Sequence, residues 1–267
     1  MKWICPKVLA VICMAWCLPA AAQQPNGAPP ADAARVSPAM AAMRQAAAAN
    51  KYTLVFFWKE KNAATDAAWG VFQGFTAKMA DWAEGVAVRL DDPAEKALVD
   101  RFDAARAPMP LVLAVAANGA VTRAFTGKLD EAQLRTAFVS PCTEQCLKAL
   151  QERKLVVLCV QKARSAAGVW AAPPGVREFA TDARFARFTQ VVALDVDDQT
   201  EAGFLRQLQV DARPAAPVTV LLAPPGSVLG KFEGSVTKEQ LVAKVASAQS
   251  GPCAGGQCGP NGCGPKR

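Results

Sequence analysis

Two apolar stretches decide the fold: Thr53–Trp58 reads TLVFFW, and Leu155–Val160 reads LVVLCV. Each has the length of a β-strand and contains almost no polar residue. A continuous apolar run of this length is typical of a strand that is covered on both faces, whereas a strand with one wet face alternates between apolar and polar residues. The two stretches therefore predict buried central strands with helices packed on either side.

The residues around these two strands repeat along the chain. A shift of 107 residues carries Pro110 onto Pro217 without a gap, and Leu54 matches Leu155 at a shift of 101. Each unit is predicted to run helix, strand, helix, strand, helix, strand, strand, helix. Helical crossovers require parallel strands, and the Asn118-Gly119 turn requires an antiparallel pair. The sequence therefore predicts an α/β fold with two tandem units, each a mixed central sheet flanked by helices.

The N-terminus has the pattern of a secretory signal peptide. Lys2 and Lys7 precede the apolar run Val8–Cys17, and the small residues Ala20–Ala22 supply a cleavage site. The apolar run is shorter than the roughly 20 residues of a membrane-spanning helix, so we expect no membrane span after cleavage. We expect export to the periplasm, the envelope or the medium. The predicted parts are a signal peptide (1–22), a flexible lead-in (23–36), two units (37–139 and 140–249) and a Gly/Pro/Cys-rich tail (250–267).

The composition excludes several classes of function. The chain has no histidine, which rules out a Ser-His-Asp or Cys-His nucleophile and histidine-ligated zinc or haem. No phosphate-binding glycine motif is present. The formal net charge is +7, but the basic residues are scattered among acidic ones, so nucleic-acid binding is not expected. Cysteine, lysine or carboxylate chemistry remains, or a function that needs no chemistry.

The order of elements, with a proline just before the third strand of each unit, resembles that of the thioredoxin-like superfamily. Phe57–Glu60 (FWKE) looks like the FWAE segment that precedes the thioredoxin active site. Pro110 and Pro217 stand where that family places its cis-proline. The resemblance covers residues 37–139 and 140–249 and implies two tandem thioredoxin-like domains.

The resemblance also implies where redox cysteines should stand, and they are missing there. In thioredoxins the first thiolate of a CxxC motif attacks a substrate disulfide and the second resolves the mixed disulfide. Those two positions fall on Asn62 and Thr65 in the first unit, and on about Ala163 and Ala166 in the second. None of these side chains can form a disulfide, so we predict that neither unit runs the family's reaction at the usual place.

Cys142 and Cys146 form a CxxxC pattern on one face of the first helix of the second unit. The start of this helix should lie at the carboxyl edge of the following strand, where the family's active site sits, and a helix N-terminus lowers the pKa of a thiol. The pair is therefore a candidate for a displaced redox site, or for a two-thiolate site for Cu(I) or Zn(II). The alternative is a structural role in packing or in a bridge.

The tail carries three further cysteines, Cys253, Cys258 and Cys263, in a glycine-rich segment. Their spacing is wider than that of usual zinc motifs, but a flexible backbone would let three thiolates surround one soft ion such as Cu(I) or Zn(II). The alternatives are an internal bridge, a covalent tether to another exported protein, or an inert oxidised tail. We expect no other cofactor.

The leading prediction is an exported, tandem thioredoxin-like protein that acts as a binding or scaffold module rather than as an enzyme. One alternative is a thiol–disulfide oxidoreductase that uses Cys142 and Cys146 together with the tail cysteines. A second alternative is a soft-metal binding protein that uses the tail thiolates. The expected partner is another exported protein.

Overall fold

The structure, a computed structural model, describes residues 37–162 and 171–249. It confirms the predicted fold class, because these residues form two four-stranded mixed sheets flanked by helices. The signal peptide, the lead-in and the cysteine-bearing tail that the sequence predicts lie outside the described residues, as do Ala163 and Ala166. None of the helices in the two described ranges combines the length and the hydrophobicity that a bilayer span needs.

The first sheet is built around β1 (Tyr52–Trp58), which pairs in parallel with β2 (Ala83–Arg89) on one side. On its other side β1 pairs antiparallel with β3 (Leu111–Val115), which in turn pairs antiparallel with β4 (Val121–Thr126). The strand order is β2-β1-β3-β4. The α-helices of this half are α1 (Pro38–Ala48), α2 (Ala63–Lys78), α3 (Lys96–Arg101) and α4 (Glu131–Arg135).

The second sheet repeats this plan around β5 (Leu155–Gln161), with β6 (Thr189–Asp195) parallel to it and β7 (Val218–Ala223) antiparallel to it. The last strand, β8 (Ser227–Glu233), pairs antiparallel with β7 and completes the order β6-β5-β7-β8. The α-helices of this half are α5 (Pro141–Gln151), α6 (Pro174–Thr181), α7 (Ala202–Gln207) and α8 (Lys238–Gln249).

Both central strands are covered on both faces, as their apolar runs indicate. Leu54 and Phe56 belong to a buried cluster with α2 and α4, whereas Val55 and Phe57 belong to one with α1 and α3. In the second half, alternate residues of β5 divide between a cluster with α5 and α7 and a cluster with α6 and α8. Cys159 lies in the latter cluster and is a buried core residue.

The two halves match at a different register from the one that the sequence suggests. The helix-start residues Ser37 and Ser140 are 103 positions apart, and so are Asn50 and Arg153, which both have positive φ just before the central strand. The match of Leu54 with Leu155 at a shift of 101 is therefore wrong by two residues. Because side chains alternate along a strand with a period of two, both registers keep the same faces buried, and apolar periodicity cannot distinguish them.

Candidate functional site

The positions at which the resemblance places redox cysteines form a helix cap in the first half. Asn62 is the N-cap of α2, and its side-chain Oδ1 accepts a hydrogen bond of 2.9 Å from the backbone N–H of Thr65. This bond satisfies one of the four N–H groups that the first turn of a helix leaves without an internal partner. Thr65 itself is buried. The two residues therefore hold the start of α2 in place.

An aromatic-lined pocket of about 260 Å³ lies beside this cap, between the carboxyl end of β1 and the first turns of α2. The rings of Phe56 and Trp69 meet edge to face with their centroids 5.2 Å apart, and Trp69 stacks on Phe72. One cation and one anion, Lys61 and Asp66, share the lining with these rings. The lining residues are Phe56, Trp58, Lys61, Thr65, Asp66, Trp69 and Ala87.

A larger and more polar cavity of about 630 Å³ lies at the corresponding edge of the second half, beyond the carboxyl end of β5. Lys162 and Asp197, which both line it, form an ion pair with 3.1 Å between Nζ and Oδ2. The segment from Arg213 to Pro217 forms another part of the lining. The two halves therefore present cavities of different chemistry at equivalent edges.

The two cis-proline candidates differ. The Met109–Pro110 peptide is cis, whereas the peptide before Pro217 is trans; the other cis bond of the described residues is Pro224–Pro225, in the turn between β7 and β8. The expectation for Pro217 is therefore wrong. The cis form of an X-Pro bond lies only about 0.5–1 kcal/mol above the trans form, so the surrounding structure rather than the local sequence selects the isomer.

Cys142 and Cys146 lie inside the second half rather than at its surface. Their side chains are 5% and 2% exposed and belong to the buried cluster between α5 and the sheet. The Cys142 thiol contacts that of Cys146, and its Sγ lies 3.6 Å from the backbone oxygen of Ala193 on β6. The three cysteines that the structure describes, these two and Cys159, are free thiols.

The environment of Cys142 raises the pKa of its thiol, contrary to the expectation for a helix start. The contact with Cys146 is the largest cause, followed by burial and by the negative charges of Glu201 and Asp198. Glu201 lies at the start of α5, where its Oε1 accepts the backbone N–H of Cys142 at 3.0 Å. A carboxylate already occupies the positive end of α5, where a thiolate would otherwise be stabilised.

This buried glutamate belongs to a pattern that both halves share. Glu201 also accepts a hydrogen bond from the Ser140 hydroxyl, and in the first half Glu95 accepts bonds from the Ser37 hydroxyl and the Ala39 N–H. We call these two arrangements the Ser–Glu clamps. Both glutamates are buried. Sequence reasoning missed them, although a signal was present: Asp-x-x-Glu follows β2 and β6 at a constant shift of 106 residues.

A polar contact joins the two halves near the Ser–Glu clamp of the second half, which Ser140 and Glu201 form. The Tyr52 hydroxyl donates to the carboxylate of Glu144 and accepts the backbone N–H of Val139 at 3.2 Å. Burial and the bond to Glu144 raise the pKa of Tyr52. Burial also raises the pKa of Glu144, where the Tyr52 bond acts in the opposite direction.

The described residues contain no group of three or more His, Cys, Asp or Glu side chains that could hold a metal ion. The tail residues Cys253, Cys258 and Cys263, which the sequence offers as metal ligands, lie outside the described ranges.

Comparison with known proteins finds no family and no curated protein that matches this chain. Among solved structures, one that matches is the germline-specific thioredoxin Deadhead of Drosophila melanogaster, with 18% sequence identity and a TM-score of 0.31. The match covers 38% of this chain and 90% of the thioredoxin. Likeness at this level says nothing about activity. The two four-stranded sheets with their flanking helices are consistent with two tandem thioredoxin-like domains.

Proposed function

We propose that this protein is an exported binding or scaffold module made of two thioredoxin-like domains, and that it does not perform the thioredoxin reaction. The observation that carries the proposal is the hydrogen bond between Asn62 and Thr65, because it gives a structural role to the two positions of the first half where the resemblance implies a CxxC motif. An oxidoreductase needs a thiolate that can reach its substrate, and neither residue supplies one.

The environment of the displaced cysteine pair supports the same proposal. Cys142 and Cys146 are buried, and the raised pKa of Cys142 disfavours the thiolate, which is the nucleophile in disulfide exchange. These properties count against the alternative oxidoreductase. Binding of Cu(I) or Zn(II) by Cys253, Cys258 and Cys263 stays a prediction from the sequence.

The aromatic pocket beside the Asn62 cap suits a binding role. Pockets that hold ligands or side chains are mostly apolar and carry a few polar groups that fix orientation. Phe56, Trp58 and Trp69 supply the apolar surface here, and Lys61 and Asp66 supply the charges. In this proposal the pocket receives an apolar side chain of another exported protein.

The proposal is tested by the reduction of insulin disulfides with dithiothreitol as the electron donor. We expect the protein to add nothing to the background rate. The double variant Asn62→Cys/Thr65→Cys serves as the matched control, because it restores a CxxC motif at the start of α2 and should accelerate the reaction. Turnover by the unaltered protein at a rate comparable to that of a thioredoxin would overturn the proposal. Loss of that turnover in Cys142→Ser would then assign it to the displaced pair.

A further inference from the structure

A third cavity, of about 220 Å³, lies where the two halves meet, and three cations line it. Arg44 comes from α1, Arg101 from the end of α3, and Lys148 from α5 of the second half. Among the described residues that line this cavity, none has an acidic side chain. This arrangement concentrates positive charge at a concave surface, which attracts anions more strongly than separate cations on a convex surface do.

The positive charge is only partly compensated. Within residues 37–162 and 171–249, neither Arg44 nor Arg101 forms an ion pair, and the guanidinium of Arg101 lies over the ring of Phe102, 5.3 Å from its centroid. Lys148 pairs with Glu152, with 3.2 Å between Nζ and Oε1. Two guanidinium groups are therefore free to bind a carboxylate, for which their fork of N–H donors is well suited.

The rest of the lining adds the Thr53 hydroxyl, the Asn118 amide and an apolar wall. Thr53 is 3% exposed and lines the cavity. Met40, Met43 and Val115 supply apolar surface. Ligand pockets of this kind are mostly apolar with a few polar groups, and the apolar wall favours a ligand with a hydrophobic body.

The second half is held against the cavity by specific contacts. The side-chain amide of Gln151 on α5 accepts the N–H of Val121 at 2.9 Å and donates to its carbonyl oxygen at 2.7 Å. The turn that precedes β4 contains Gly119, with φ +83°, and a Cβ at this glycine would lie 3.6 Å from the Lys148 Nζ. The ammonium group therefore sits beside the turn, at a position that the contact between the halves fixes.

We propose that this cavity binds a small organic carboxylate with an apolar body. The carboxylate pairs with Arg44 and Arg101, the Lys148 ammonium adds a third positive charge, and the apolar body lies against Met40 and Met43. Charge alone would attract any anion, but the methionine wall and the small volume select a compact hydrophobic acid over a strongly hydrated ion. This proposal does not depend on the absence of the thioredoxin reaction.

Isothermal titration calorimetry of the full protein with benzoate tests the proposal. We expect saturable binding of one benzoate, at least about tenfold tighter than binding of benzyl alcohol, which lacks the charge, or of inorganic phosphate, which lacks the apolar body. Binding should weaken as salt concentration rises. Absence of saturable benzoate binding, or equal affinity for phosphate or for benzyl alcohol, would overturn the proposal.

Three variants locate the site. Arg44→Gln and Arg101→Gln should each weaken benzoate binding by about tenfold, because each removes one charge-assisted pair. Arg123→Gln is the matched control: Arg123 is also exposed, lies on β4 and does not line the cavity, so its removal should leave affinity unchanged. Circular dichroism of each variant confirms that it is folded. Equal affinities for all three variants would place the binding elsewhere and contradict the proposal.

Discussion

The two halves of the molecule begin in the same way, but different side chains follow the shared start. A serine and a buried glutamate clamp the first turn of α1 and of α5. Beneath the clamp, the first half has Ala39 and Met43 where the second has Cys142 and Cys146. All four residues belong to, or pack against, buried clusters. The comparison teaches that the two thiols occupy ordinary packing positions of this repeat.

The halves differ more strongly at the start of α2 and of α6, the helices that follow the two central strands. In the first half, the side chain of Asn62 caps α2. In the second half, α6 begins after Pro173 without a side-chain cap, and Gly175 instead approaches the chain at Val236. The two halves therefore stabilise the start of this helix differently, and within the described residues neither uses a thiol there.

The clamps should give the largest effect on stability. Glu201→Gln and Glu95→Gln each remove a carboxylate that accepts two hydrogen bonds, and we expect each to lower the free energy of unfolding by about 3 kcal/mol. Urea denaturation measures the change. Glu60→Gln, on an exposed residue, is the control and should change little. A loss confined to one of the two glutamates would show that the clamps are not equivalent.

Gly175→Ala tests the start of α6. A Cβ at this position would lie 2.2 Å from the carbonyl oxygen of Val236, so the backbone must shift, at an expected cost of about 2 kcal/mol. Gly203→Ala is a matched control on α7, where a Cβ meets no atom within 4 Å and helix propensity should add up to about 1 kcal/mol of stability. Thermal unfolding compares the two variants, and equal midpoints would contradict the close approach.

Tyr52→Phe tests the contact that joins the halves. It leaves the N–H of Val139 without its partner and should cost about 1–2 kcal/mol. Because the pKa of Tyr52 is raised in the folded protein, the contribution is complete below the ordinary tyrosine pKa of about 10 and is lost as pH rises through the folded value. Tyr52 is the single tyrosine of the chain, so ultraviolet titration reports its ionisation directly. A titration with the ordinary tyrosine pKa would argue against the contact between Tyr52 and Glu144.

The smallest effect should come from Asn62→Ala, which removes the cap of α2 and should cost about 1 kcal/mol. Asn62→Asp keeps an acceptor at the N-cap and should retain the stability of the unaltered protein. Urea denaturation distinguishes the two variants. If both were as stable as the unaltered protein, the capping role of Asn62 would be wrong. The start of α2 would then not differ from the start of α6 by a stabilising side-chain cap.

Sequence reasoning captures the fold because the signals that specify it are local. The apolar run of β1 requires cover on both faces, and Asn118-Gly119 specifies the hairpin between β3 and β4. The register between the halves and the isomer of Pro217 were not predictable, since a slip of two residues preserves every buried face and either isomer of an X-Pro bond is close in energy.

The candidate site depends on contacts between residues far apart in sequence, and the predicted effect on the Cys142 thiol is wrong. The expectation of a lowered thiol pKa at the start of α5 considers the helix alone. It omits Glu201, which lies 59 residues from Cys142 in sequence and accepts the backbone N–H of Cys142. The contact with Cys146 and burial, with a smaller contribution from the charge of this carboxylate, raise the thiol pKa instead. The sign of this glutamate in the sequence is the repeat of Asp-x-x-Glu after β2 and β6.

Alkylation of the native protein tests the central claim most directly. Iodoacetamide is applied in a short pulse, and labelling of Cys142 and Cys146 is measured by peptide mass spectrometry against the protein in urea. The variant Asn62→Cys supplies an exposed thiol at the start of α2 as the internal standard. We predict that Cys142 and Cys146 are labelled only after unfolding, whereas the introduced thiol is labelled within the pulse. Labelling of either native cysteine as fast as the standard would contradict the assignment of these thiols to the core.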